Sequence, residues 1–182
     1  MKAFNRVKRA IFGKNIDSIP IVLWANGQIY APLNGYNDCE YYFDKEKMLE
    51  SQISFFNKFP EVFTIPGIWP DFGSIPIASA FGCKVDFPIN SPPRIIHRYL
   101  ESLDEVYNLR IPNPKTAEYT KTVLEYLSYF KQNLPKSISS SFGFLDGHVH
   151  LGGPVDRACL IAGHTELFLG MYEKPELVHQ LL

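Results

Sequence analysis

No basic block or stripe occurs in the 182 residues, and 18 Lys and Arg nearly balance 19 Asp and Glu. Binding a phosphate backbone needs clustered cations, so a nucleic-acid partner is not expected. Cysteine is scarce: Cys39, Cys83 and Cys159 are far apart, odd in number and form no CxxC pair. That argues against a disulfide framework and predicts free thiols in a reducing, cytoplasmic setting. No apolar run approaches the ~18 residues of a membrane span, so no membrane partner is expected. The basic start "MKAFNRVKRAIFGK" lacks the apolar stretch that would follow it in a signal peptide. Arginine is sparse too, at six residues. No internal repeat, low-complexity tract or shift in composition marks a boundary, and residues 1–182 read as a single domain.

What is present is material for a core. Apolar residues make up 46% of the chain and aromatics 14%, which argues against disorder. "FNRVKRAIFG" predicts a short helix, with Val7, Ala10 and Ile11 on one face and Gly13 as its stop. "IPIVLW" is an apolar run of strand length. Its lack of alternation suits a strand covered on both faces, as in a parallel sheet. The loop "NGQIYAPLNGYNDCEYY" is longer than a connection needs. "DKEKMLESQISFFNKF" then predicts a helix capped by Asp44. "EVFTIPG" reads as a second strand, "GSIPIASAFG" as a short helix interrupted by Pro76, and "CKVDFP" as a third extended piece.

From Pro88 to Pro112, four prolines leave room for one helical turn near "LDEVYNL". The clearest helix is "TAEYTKTVLEYLSYFKQNL", where Tyr119, Val123, Leu127 and Phe130 recur at helical spacing. "KSISSSFGFL" is a strand candidate. "PVDRACLIAG" and "ELFLGMYEKPELVHQLL" are helical, with Pro175 opening the last helix and Cys159 in its apolar setting reading as core. Strands alternating with helices predict an α/β fold. Long loops after the strands point to a (β/α)8 TIM barrel, with the site built by those loops. A full barrel takes about 250 residues, and this chain supplies three or four strands. The expectation is a partial barrel, the N-terminal half, with parallel strands and flanking helices.

"FLDGHVHLGGPVD" (144–156) places Asp146, His148 and His150 two apart at a strand end. That spelling resembles the Asp-x-His-x-His metal motif of amidohydrolases. In such enzymes further ligands follow on later strands, because zinc demands three or four. Only 32 residues remain after His150, too few to supply them. The better reading makes His148 and His150 strand-end residues lining a cleft, with metal ligation the weaker alternative.

Several phrases, in order, resemble the uroporphyrinogen decarboxylase family, which includes methyltransferases working with corrinoid proteins. "NRVKRAIFGKNIDSIPIVLW" is similar to its first helix and strand, and "PDFGSIPIASAFGCKVDFP" to the segment around its second strand. "LESLDEVYNLRIPNP" is similar to its linker, and "GGPVDRACLIAGHTELFLGMYEKPELVHQLL" to its most recognisable run. The resemblance spans the chain but corresponds to the first half of a family member.

The resemblance implies a small-molecule substrate and one of two chemistries. Decarboxylases of the family carry Arg-Gln-Ala-Gly-Arg-Tyr after the first strand, where arginine forks meet a substrate with many carboxylates. Here that stretch is "WANGQIY", with Trp24 and Gln28 at the arginine positions. The decarboxylase tyrosine position falls near Leu160. The implied branch is therefore methyltransferase-like, with methyl transfer involving a corrinoid protein. In that branch zinc is held by His and Cys ligands from the barrel's second half, and no His-x-Cys exists in this chain. No cofactor is expected to be bound by this chain alone.

The expected site follows. Asp71 is the catalytic candidate, orienting substrate by accepting hydrogen bonds, with a loop or cap aspartate as the alternative. Trp24, Asn26, Gln28 and Tyr30, with His148 and His150, are the substrate-binding candidates; no metal ligand is assigned. Asp156 and Arg157 could face the cleft, with Asp156 as an N-cap the equal alternative. Two other readings stand: a genuine uroporphyrinogen decarboxylase of porphyrin biosynthesis, or an inactive half-barrel that needs a partner chain or self-associates through its incomplete barrel. Whether the chain is an enzyme alone is left open.

Overall fold

The computed structural model describes residues 2–138 and 152–182. The chain divides into two compact units, one of Met1–Asp71, Pro88–Pro92 and Glu125–His150, the other of Phe72–Phe87, Pro93–Leu124 and Leu151–Leu182.

The first unit opens with α1 (Ala3–Ile11), which carries Lys8 and Arg9 in its last turn, where cations favour the helix dipole. Ala3 is buried, and Phe4 packs on Phe63 at 5.8 Å between ring centres. The expected first strand is β1 (Ile21–Trp24). After it come α2 (Gly27–Tyr30) and α3 (Asp38–Phe43), in a stretch whose pattern predicts a loop. The signal for α3 was present: Asn37 accepts from Glu40 N at 2.9 Å, and Glu40 accepts from Asn37 N at 3.1 Å. Three residues apart, the pair makes a capping box.

Helix α4 (Lys45–Lys58) starts where expected, because the Asp44 carboxylate takes the N–H groups of Glu46 and Lys47. Its buried face carries Met48, Gln52, Phe55 and Phe56. The second strand, β2 (Val62–Ile65), pairs with β1 in parallel, Ile21 opposite Val62 through Trp24 opposite Ile65. This βαβ crossover is the parallel α/β element that the apolar runs predicted. One expectation differs. β1 is not covered on both faces: Ile21 is 54% exposed and Trp24 53%, side chains that point to opposite faces of the strand.

The second unit is mainly helical. Helix α5 (Ile75–Ala80) is opened by Pro76 instead of being interrupted by it, since a first-turn residue has no intrahelical acceptor to lose. "CKVDFP" does form a strand, β3 (Lys84–Asp86), but it does not join the parallel pair. It pairs antiparallel with β4 (Arg94–His97), which lies in the proline-rich stretch expected to hold only a helical turn. Arg94 and Asp86 face each other across that ladder at 3.0 Å, an ion pair set by register. The expected turn is there as well, a 3-10 segment at Leu103–Asn108.

Helix α6 (Glu118–Asn133), the predicted long helix, is divided, with its residues up to Leu124 in the second unit and those from Glu125 in the first. The strand proposed from Lys136 is not one at its start: residues 136–138 are helical, and the rest lies outside the described residues. Helices α7 (Pro154–Ala162), α8 (His164–Glu173) and α9 (Pro175–Leu181) complete the unit. Asp156 is the third residue of α7, not its cap, and reaches back to Gly153 N at 3.3 Å. Cys159 is in the core, as expected, among Leu100, Leu103, Ile161, Leu167 and Val178. At the α7–α8 corner Arg98 donates to Ala162 O at 2.9 Å and to Glu166 at 2.6 Å. Gly163 there has φ +100°, and any side chain would collide with the Arg98 guanidinium, so the corner needs glycine.

Candidate functional site

The ends of β1 and β2 in the first unit hold most of the expected site. Trp24 closes β1 and is half exposed. Asn26 is half-buried at the N-cap position of α2 with an extended backbone, and its Nδ2 lies 3.5 Å from Gln28 Oε1. Gln28 is exposed. These three share one short surface segment and can present an aromatic face and neutral amides to a ligand. Tyr30 does not line that surface. It is fully buried, stacked on Tyr41 at 6.4 Å and edge-on to Phe55 at 5.4 Å.

Asp71 is also inside, 1% exposed, and its Oδ2 accepts from Gly27 N at 2.7 Å. The carboxylate thereby joins the segment after β2 to the start of α2. Gly27 cannot be another residue: a Cβ would stand 2.8 Å from both a Tyr41 ring carbon and Tyr42 Oη. Tyr30, Tyr41 and Tyr42 surround this point. Burial pushes all three phenols well above their ordinary range, and the negative charge of Asp71 pushes the same way. Tyr30 Oη and Thr64 Oγ1 are near neighbours without hydrogen-bond geometry.

The residue that sequence reasoning missed is Gln52. It is fully buried, donating to Tyr41 Oη and Trp69 O, both at 2.8 Å, and accepting from Trp69 N at 2.9 Å. The signal was its spacing, four after Met48 and three before Phe55, which puts an amide on the apolar face of α4. His148 and His150 lie outside the described residues. In the second unit, Arg157 is 8% exposed and donates to Ser74 O at 2.6 Å; burial lowers its pKa. A groove of about 340 Å³ beside β3 and β4, lined by Cys83, Lys84, Ile96, Glu118 and Tyr119, contains none of the expected site residues.

Among the described residues no three His, Cys, Asp or Glu side chains gather to hold a metal. The donor set of those residues therefore does not fit zinc. Among the same residues no helix is long and apolar enough to cross a membrane.

A parallel strand pair crossed by helices defines an α/β protein. The chain belongs to the uroporphyrinogen decarboxylase (URO-D) family, whose model matches residues 2–182. Among solved structures it is similar to a methyltransferase from Methanosarcina mazei, with a TM-score of 0.69 and 15% identity. All of this chain is covered in that match but only 51% of the other, so the chain spans about half its length. No curated protein matches the sequence.

Proposed function

We propose that this chain is the N-terminal half of a (β/α)8 barrel whose complete form transfers methyl groups in concert with a corrinoid protein. The observation that carries the reading is where the arginines are. Arg6 pairs with Asp17, Arg9 bonds Asn15 O, Arg94 pairs with Asp86, Arg98 with Glu166, and Arg157 with Ser74 O. Five of the chain's six arginines are thus engaged by its own groups, and none lies in residues 21–30. A polycarboxylate substrate would need free guanidinium forks at the β1 end. That end offers Trp24, Asn26 and Gln28 instead, which suit an aromatic methoxy compound or a methylated ammonium held against the indole face. The likeness to a methyltransferase half supports the fold of this reading, and the buried free thiols of Cys83 and Cys159 support a cytoplasmic setting.

In the proposed reaction the donor's carbon–heteroatom bond breaks and its electron pair stays on the heteroatom. Cob(I)alamin supplies the pair that forms the new bond to the methyl carbon. The role of the residues here is to bind and orient the donor, and any zinc would be held by groups beyond those described. The test is incubation of the full-length protein with methoxyarene or methylamine donors and cob(I)alamin, following loss of the cob(I)alamin absorbance. Donor-dependent loss is expected. Turnover of uroporphyrinogen with no methyl transfer from any donor would reverse the reading.

A further inference from the structure

The Gln52 amide commits both of its ends to one residue. Oε1 takes Trp69 N–H and Nε2 gives a proton to Trp69 O, while the other Nε2 proton goes to Tyr41 Oη. This two-way bond satisfies a backbone donor and acceptor of one residue that no strand ladder satisfies among the described residues. Among side chains only Gln and Asn set an N–H donor and a C=O acceptor side by side on one planar amide, and Asn is one methylene shorter. Trp69 stands between the end of β2 and Asp71, and Asp71 in turn holds Gly27 N at 2.7 Å. Trp24 and Gln28 lie three residues before and one after that glycine. A continuous set of bonds therefore runs from α4 through the segment after β2 to the segment after β1.

We propose that Gln52 is a positioning residue which, acting through Trp69 and Asp71, fixes the segments after β1 and β2 as one unit and so sets the pose of Trp24 and Gln28 toward substrate. This rests on the reading that the site lies at those strand ends. Asp71 is then also a positioning residue, working behind the surface and not on the substrate. Every member of the set is buried, so each bond is shielded from water and costly to break.

The test is residue-resolved amide hydrogen exchange on the full chain without ligand. Gln52→Leu is expected to speed exchange at Trp69 and, through Asp71, at Gly27, each by about tenfold, the loss of one buried hydrogen bond. Amides of α7 in the second unit should keep their rates. Asp71→Leu should free Gly27, and Asp71→Asn should restore it, because the amide oxygen can still accept. If Gln52→Leu does not fold, Gln52→Met serves, matching the length of the side chain and losing the whole amide.

A merely structural glutamine would lower the denaturation midpoint and leave Gly27 no faster than in the parent chain. That result, in either Gln52 variant, would overturn the proposal, and so would failure of Asp71→Asn to protect Gly27. Because exchange is read without substrate, absence of methyl transfer would remove the proposed activity and leave this result standing.

Discussion

The two units bury different things. Among the described residues the first unit buries Asp38, Ser51, Gln52, Thr64 and Asp71 together with Tyr30, Tyr41 and Tyr42, whereas the second buries Ser79 and Arg157 alongside an apolar cluster. Each buried polar group costs free energy unless it is paired, so a polar core is retained at a loss that apolar packing would avoid. In the first unit the pairs are made between segments far apart in sequence, Gln52 with Trp69 and Asp71 with Gly27. In the second, ion pairs such as Lys174 with Asp104 at 2.8 Å sit at the surface, outside the core. The comparison teaches where geometry is being held and where mass is merely packed.

The largest expected effect lies in the apolar unit. Leu167 has no exposure, and Leu167→Ala should cost about 2–5 kcal/mol in urea denaturation. A loss below ~0.5 kcal/mol, the size of a surface change, would break the contrast by showing that this cluster is not a packed core. Next comes Gln52→Leu, which leaves the Trp69 N–H and C=O and the Tyr41 hydroxyl without the partner they have now. About 1–3 kcal/mol should be lost despite the gain in apolar surface. A neutral or stabilising outcome would mean that the polar wiring is dispensable.

A smaller and graded effect is expected at alkaline pH. Burial raises the phenols of Tyr30, Tyr41 and Tyr42, and that of Tyr126 to about 12, above the ordinary value near 10. A phenol that keeps its proton longer in the fold than in the unfolded chain contributes stability that is intact below about pH 10 and falls as pH rises above it. Melting midpoints should therefore be flat up to about pH 10 and drop beyond, with phenolate absorbance appearing together with unfolding. Phenolate signal from all ten tyrosines before any unfolding would contradict the buried cluster. Smallest of all, Asp104→Asn removes an exposed partner of Lys174 and should leave the melting midpoint unchanged within error.

Much of this was legible in the sequence. The helix at Lys45–Lys58 with its Asp44 cap, the strand at Val62–Ile65 and the long helix from Glu118 follow from spacing and capping alone. What misled was chemistry with two readings. Four prolines from 88 to 112 suggested an irregular stretch, yet Arg94–His97 carries no proline and finds a partner in Lys84–Asp86. Tyr30 looked like a cleft residue because it follows Asn26 and Gln28, but a four-residue helical turn swings it inward. Burial is a tertiary property, and neither local propensity nor pattern specifies which of several neighbouring polar residues a turn will hide. Gln52 was the converse, visible in the spacing and overlooked because the helix reads well without it.

On the proposed reading the end of β1 takes a methoxyarene or a methylated ammonium and not a polyanion. Trp24 and Trp69 are the chain's two tryptophans, so Trp69→Phe leaves Trp24 as the sole indole reporter. Titrating its emission with a neutral methoxyarene and with benzenehexacarboxylate compares the two ligand chemistries at one site. The account predicts a saturable change with the methoxyarene that added salt does not weaken, and none with the polycarboxylate. A salt-sensitive response to the polycarboxylate alone would contradict it.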